Sequence, residues 1–528
     1  MIPATRRVMN LSHFLRQAAR RQPNDVAIVW GEATWTWQDF DRRVDAMAAA
    51  LAARGIGKGD RVLVQSTNCN QLLESMFVCF RIGAVWVPAN FRQTPVEVAY
   101  LARSSGAVAM LCGALFPDHA VAAQQAAPDL RLVVSIGGAG PLEAYDDLVA
   151  QHLGADYPAA DVEHDDPCWF FFTSGTTGRP KAAVLTHGQM GFVATNHLCD
   201  LMPGTTPDDA SLVVAPLSHG AGIHQLAQVA RGVKTVMPGG QRLNPEDAWA
   251  MVERWHITNM FTVPTILKLL TEHEAVDRYD HSSLRHVIYA GAPMYRADQK
   301  HALRKLGPVL VQYFGLGEVT GNITVLPPHL HDAEDRPGLR LGTAGYERTA
   351  MQIQIQGDDG RELPAAETGE ICVCGLAVFA GYHDNAEANA KAFRNGWFRT
   401  GDLGHMDSAG FLFITGRASD MYISGGSNVY PREAEEAMLT HPAVAEIAIV
   451  GMPDPTWGEI GIAAAVLRPD ATVDEAALLA WLDDKVARYK IPKRIFFWEE
   501  LPKSGYGKIT KKTIKEELLA RGCLPPAE

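Results

Sequence analysis

The chain has 528 residues, 47% of them apolar and 20% charged, with a net charge of −12. At roughly 150 residues per domain it holds several domain equivalents of ordinary globular balance, which excludes a disordered chain, a collagen-like fibre and a disulfide-stapled mini-protein. A net acidic protein also lacks the basic face that general nucleic-acid binding requires, so no nucleic-acid partner is expected.

The N-terminal stretch carries paired arginines and a polar-interrupted amphipathic segment, without the apolar core of roughly 7–15 residues that a signal peptide needs. No run approaches about 18 uninterrupted apolar residues, so no integral membrane association is expected. Thr36-Trp-Gln-Asp39 predicts a capped helix with Phe40, Val44, Met47, Ala48 and Leu51 at helical spacing and Gly55 at its end. Arg61–Gln65 reads as a strand, Asn70–Ile82 as a helix and Ala84–Pro88 as a strand. A helix around Pro95–Ser104 and a strand at Ala107–Cys112 follow. Further strands are predicted at Cys168–Thr173, Ser211–Ala215, His286–Tyr289 and Val309–Gln312.

Such alternation implies parallel sheets with helices on both faces. From about 342 to 414, short β-like pieces between Gly, Asp and Pro turns predict a barrel-like β section. Helices return at Pro431–Leu439, Glu475–Ala487 and Lys511–Ala520. The expected fold class is therefore α/β and α+β. A large N-terminal domain (1–417) of helix-flanked parallel sheets contains the β-rich section, and a small α+β C-terminal domain spans 418–528.

The eight cysteines are scattered; Cys372 and Cys374 share one strand face but match neither a redox nor a zinc spacing. They read as buried free thiols of a cytoplasmic protein. His219 and His224 in PLSHGAGIH have no partner ligands at workable metal spacing, and His273 lacks the second His of a zinc-protease motif. His224 is expected to be a packed, hydrogen-bonded core histidine.

The strongest chemical signal is Trp169–His187, where an apolar strand runs into Thr173-Ser174-Gly175-Thr176-Thr177-Gly178-Arg179-Pro180-Lys181. Glycines let backbone N–H groups converge on an oxyanion, hydroxyls add donors and the lysine adds full charge. A strand's carboxyl end is also where open α/β sheets bind ligands. Pro180 breaks the Walker pattern, which disfavours a P-loop kinase. Asp402, after a Gly and between β pieces, can accept both hydroxyls of a ribose. Glu318, in a glycine-rich loop past a buried strand, suits Mg²⁺.

Taken with these motifs, the sequence resembles the adenylate-forming superfamily of acyl-CoA synthetases, luciferases and adenylation domains, in order over nearly the whole chain. The resemblance implies that Thr173, Ser174, Gly175, Thr176, Thr177 and Lys181 hold the ATP phosphates. It implies an adenine turn at Gly291, Ala292 and Pro293, and an aromatic segment Tyr313, Phe314, Gly315, Leu316, Gly317 ending in the metal ligand Glu318. Asp402 and Arg417 would hold the ribose, and Lys508 would be the catalytic lysine of adenylation. His219, Thr265, Gly315 and Leu316 would border the acyl site. Ser424, Gly425 and Gly426 would line a CoA tunnel after the domain beyond Arg417, a mobile lid, rotates.

The implied reaction is that of an AMP-forming acid–CoA ligase using ATP, Mg²⁺ and coenzyme A on a monocarboxylic fatty or aromatic acid. An adenylation enzyme loading a carrier protein and an impaired adenylate-binding protein are the alternatives. The expected partners are the acid, ATP and CoA, with a homodimer as the oligomeric expectation.

The sequence departs from the family at Gly317, where Thr is usual, at Phe314 for Tyr (with Tyr313 expected to preserve the aromatic face), at Ala182 for Gly, and at Ser419 in the hinge. The net charge also hides a local excess. From Lys485 to Lys512 nine basic residues face two acids, a segment expected to present positive charge to phosphates.

Overall fold

The capped helix forms at Trp37–Ala53. The Asp39 amide donates to the Thr36 hydroxyl at 3.1 Å and the Thr36 amide to the Asp39 carboxylate at 3.0 Å. The structure is a computed structural model describing residues 7–138, 142–174, 179–240, 242–503 and 509–522.

Seven strands build one sheet, in the order Glu143–Ala144, Leu132–Ile136, Ala109–Gly113, Arg61–Gln65, Val85–Ala89, Pro167–Ser174, Pro180–Thr186. All its pairings are parallel except the final hairpin. A second, 14-stranded sheet has a parallel centre running through Lys234–Met237, Ala210–Val213, Asn259–Thr262, His286–Tyr289 and Leu310–Phe314. One apolar core lies between the sheets. It takes Phe40 and Met47 from the capped helix, Phe77 and Phe80 from Asn70–Ile82, Leu226 from Gly220–Arg231, and Trp169 and Phe171 from a strand.

Every residue of Asn70–Ile82 is buried, including two charges. Arg81 is paired with Asp41 at 2.6 Å and Asp45 at 2.7 Å, and Glu74 with Arg43 at 2.7 Å, which is the condition for burying charge at all.

The β-rich section does not close into a barrel. Thr324–Leu326 pairs antiparallel with both Leu310–Phe314 and Thr343–Glu347. The sheet then continues through Phe411–Arg417, Trp397–Met406 and Gly369–Gly375 to Met351–Gln356 at its edge. The turn signals between these pieces are real, but they are hairpin turns of an open antiparallel extension.

After Arg417 a separate five-stranded sheet centres on Val444–Asp454 and Gly458–Leu467 and packs with Pro431–Leu439, Glu475–Leu482 and Lys511–Ala520. The middle helix is shorter than expected, because the Lys485 amide turns back to the Leu482 carbonyl at 3.0 Å in a tighter turn. Arg432 donates to the Ile414 carbonyl at 3.1 Å and so ties this region to the large sheet.

Five of the thiols are buried as expected, and burial pushes those of Cys69 and Cys372 up to about 11. Cys199 is exposed and Cys374 half-buried, contrary to expectation. Cys523 lies outside the described residues. Among the described residues no helix is long and apolar enough to cross a membrane.

Candidate active site

Strand alternation sorts the apolar run of Pro167–Ser174. Phe170 and Phe172 pack into the core on one side of the seven-stranded sheet, Trp169 and Phe171 into the core between the sheets. The next residue on the inner face is Thr173. The strand register sets Thr173 opposite Lys181, so a hydroxyl and an ammonium stand together near the ends of these two strands. Gly175, Thr176 and Thr177, and the side chain of Ser174, lie outside the described residues.

Glu318 sits in a single 3-10 turn, Gly317–Val319, and is 6% exposed. Two hydroxyls converge on its Oε1: Thr173 donates at 2.7 Å and Tyr382 at 2.9 Å. Burial, reinforced by the Glu318 charge, pushes the Tyr382 phenol far above its usual range, so it remains a donor. Lys181 Nζ lies 5.0 Å from the centre of the Tyr382 ring. Asn389 clasps the Tyr382 backbone, accepting from its amide at 2.7 Å and donating to its carbonyl at 3.0 Å.

Tyr382 was not expected. Its partners are 64 and about 200 residues away in sequence, so no local spacing marks it. Among the described residues no group of three or more His, Cys, Asp or Glu could hold a metal. The one buried carboxylate of Glu318 fits Mg²⁺, which takes a carboxylate or two plus substrate phosphates rather than an all-protein cage.

Asp402 and Arg417 are register partners on adjacent strands, with Arg417 Nε 3.2 Å from Asp402 Oδ1. Asp402 is buried and Arg417 half exposed. Gly291, Ala292 and Pro293 follow the buried strand His286–Tyr289, with Gly291 and Pro293 exposed. Beneath that turn Tyr289 donates to Gln312 at 2.9 Å and lies 3.0 Å from His331.

Tyr313 does not extend the Phe314 face. As its neighbour on one strand it points to the other side, its ring 6.0 Å from Phe261 and 6.2 Å from His197. Gly315 and Leu316 sit at the approach to Gly317. His219 is partly buried, with Nδ1 3.0 Å from Ser218 Oγ and its ring 5.0 Å from Phe171. Thr265, by contrast, is exposed on the first turn of Pro264–Glu272.

His224 is the core histidine expected, with Nε2 2.9 Å from Asn259 and 3.2 Å from Ser211, and burial lowers it to about 4. The sequence reading missed one buried cation. Arg348 lies behind Tyr313, 3.6 Å from Asp200, and burial brings it down to about 10.

Ser424 is buried, while Gly425 and Gly426 form an exposed turn between two short strands. Gly425 has φ +56°, and a Cβ there would lie 2.8 Å from the Trp457 ring. The basic segment is less available than its count implies. Lys490, Lys503 and Lys511 are paired with Glu433, Glu446 and Glu435 at 2.6, 2.6 and 2.7 Å, and Arg494 with Glu475 at 2.8 Å. Lys508 lies outside the described residues.

Residues 15–383 match the model of the AMP-binding enzyme family and residues 433–508 that of the AMP-binding enzyme C-terminal domain. The chain belongs to the AMP-binding enzyme family. Within the adenylate-forming superfamily it falls in the acyl-CoA synthetase branch. It is 36% identical to a feruloyl-CoA synthase from an Amycolatopsis species, covering 94% of this chain and 96% of that one. An indoleacetate–CoA ligase of Aromatoleum aromaticum is 31% identical over 97% of this chain and 99% of its own. The solved o-succinylbenzoate CoA synthetase of Bacillus subtilis, in complex with its acyl-adenylate intermediate, superposes with a TM-score of 0.83 at 29% identity, covering 95% of this chain and 97% of that one.

Proposed function

We propose that the chain converts a monocarboxylic aromatic or fatty acid, ATP and CoA into acyl-CoA, AMP and pyrophosphate. The observation carrying this reading is the convergence of Thr173 and Tyr382 on buried Glu318 beside Lys181. In the first half-reaction a carboxylate oxygen bonds to the α-phosphorus and the bond to the β-phosphate bridge breaks, giving acyl-AMP and pyrophosphate. In the second the CoA thiolate attacks the acyl carbonyl and AMP leaves.

Thr173, the 174–177 loop and Lys181 hold the phosphates, and Asp402 with Arg417 holds the ribose. Glu318, fixed by its two hydroxyl donors, would hold Mg²⁺, which neutralises phosphate charge when bound. Lys508 acts in adenylation, stabilising charge as it develops between carboxylate and α-phosphate. The chain divides near Arg417, and the C-terminal domain then turns to exchange Lys508 for the Ser424–Gly426 loop.

Arg348 is already paired with Asp200, so a dicarboxylate would find no free buried cation there. An aromatic body fits the rings of Phe171, His219, Phe261 and Tyr313. Every group invoked comes from one chain, and no described cysteine is in a disulfide, as suits the reducing cytoplasm.

Exchange of labelled pyrophosphate into ATP, with a panel of aromatic, fatty and short acids, tests the first step. Lys508→Ala should abolish it, and a wild-type rate would remove Lys508 from its role. AMP release dependent on free CoA separates a CoA ligase from carrier loading, and absence of exchange with every acid would leave only an adenylate-binding protein.

A further inference from the structure

Phe171 stands at the meeting point of the acyl and phosphate groups. It is 8% exposed, lies two residues before Thr173 on the same strand face, and packs edge-on against His219 at 5.0 Å and 69°. It also neighbours Trp169, at 5.8 Å between ring centres, and Gly317. A Cβ built there would lie 2.6 and 2.7 Å from Phe171 Cδ1 and Cε1, and 2.7 Å from Thr173 Cγ2. Side chains do not approach that closely in a packed interior. The space a threonine would use at position 317 is therefore filled by the Phe171 ring together with the Thr173 methyl. The wall beside Glu318 is correspondingly aromatic where a hydroxyl would have stood.

We infer that Phe171 is a specificity-determining residue of the acyl site and that Gly317 is the residue that makes room for it. This rests on the acid–CoA ligase reading and narrows its substrate. Two rings near right angles form a corner that accepts a flat group, lying on one ring and edge-on to the other. Substituents projecting out of that plane next to the carboxylate meet Phe171. The acid selected is one whose carboxylate is borne on a planar, conjugated carbon.

The test uses the full chain with Phe171→Leu, Gly317→Ala and the double variant. The probes are cinnamic acid and 2-methyl-3-phenylpropanoic acid, which share a ring but differ in planarity beside the carboxylate. Wild type should favour cinnamic acid in pyrophosphate exchange. Phe171→Leu should shift the ratio of the two kcat/KM values toward the branched acid by about tenfold or more, with the KM for ATP changed by less than about twofold. Gly317→Ala should cost about tenfold with both acids and lower the unfolding temperature by about 3 °C or more. Both losses should shrink in the Phe171→Leu background.

An unchanged acid ratio in Phe171→Leu overturns the specificity role, even if the two sites remain coupled in stability. Equal damage from Gly317→Ala in both backgrounds overturns the pairing. A wild-type enzyme that prefers the branched acid overturns the substrate class. Absence of exchange with any acid overturns the ligase reading and the specificity role with it, while the unfolding temperatures still decide whether Phe171 and Gly317 are a pair.

Discussion

The two candidate reaction surfaces are built in opposite ways. Around Glu318, segments that lie far apart in the chain deliver two half-buried hydroxyls to a buried carboxylate, with its partners already in place at 2.7 and 2.9 Å. Around Gly425, a two-glycine turn stands exposed at the rim of the small sheet, between the paired residues Ser424 and Ser427, with the Gly425 amide donating to the Trp457 carbonyl at 2.9 Å. Charge that develops in a phosphoryl-transfer step is best met by groups that need no reorganisation. A loop that serves only after a domain turns gains nothing from burial beforehand. Pre-formed and presented surfaces are thus what a two-step ligase of this kind requires.

The largest expected effect comes from breaking the pre-formed side. Glu318→Gln keeps the size and loses the charge. It should reduce pyrophosphate exchange by about 10²–10³, with a much smaller loss in thioester formation from pre-made acyl-AMP and CoA. Equal losses in both half-reactions would remove the distinction between the surfaces.

Gly425→Val probes the other side, because φ +56° and the Trp457 ring both oppose a branched side chain. Thioester formation should fall by about tenfold, well beyond any fall in exchange, when the two steps are assayed separately.

The smallest effect separates the regions by pH. His187, His224, His286 and His331, all in the N-terminal region, are lowered to about 4, chiefly by burial. They are neutral when folded, whereas the unfolded chain binds their protons below about 6.5. The unfolded state therefore holds more protons between those values, and stability conferred above pH 6.5 is lost as pH falls toward 4. Thermal unfolding followed from pH 7.5 to 4.5 should show the N-terminal transition moving down more than the C-terminal one. His224→Gln should flatten that slope.

Much of the site could be read from residue types at fixed spacing. Glu318 follows its glycines and Asp402 sits opposite Arg417, while residues 175–177 of the hydroxyl-rich segment lie outside the described residues. The helices Asn70–Ile82, Pro431–Leu439 and Lys511–Ala520 fall at their expected bounds, since signals such as Gly83 at one helix end and Pro431 at another helix start are local. Tyr382 could not be read, because its role depends on strands that pair across the molecule. The supposed barrel failed for the same reason: alternation and turns predict strands but not whether the last strand finds the first. The basic run misled because the acids that pair with it come from other elements.

The sequence by itself determined the family, because its motifs depend on short-range chemistry along the chain, and it set the expectations for the phosphate, ribose and metal sites. Only the tertiary structure decided that Tyr382 shares Glu318 with Thr173 and that the Phe171 ring and the Thr173 methyl crowd the space beside Gly317. Both bring together segments distant in sequence, and such contacts are settled only when the sheets pack.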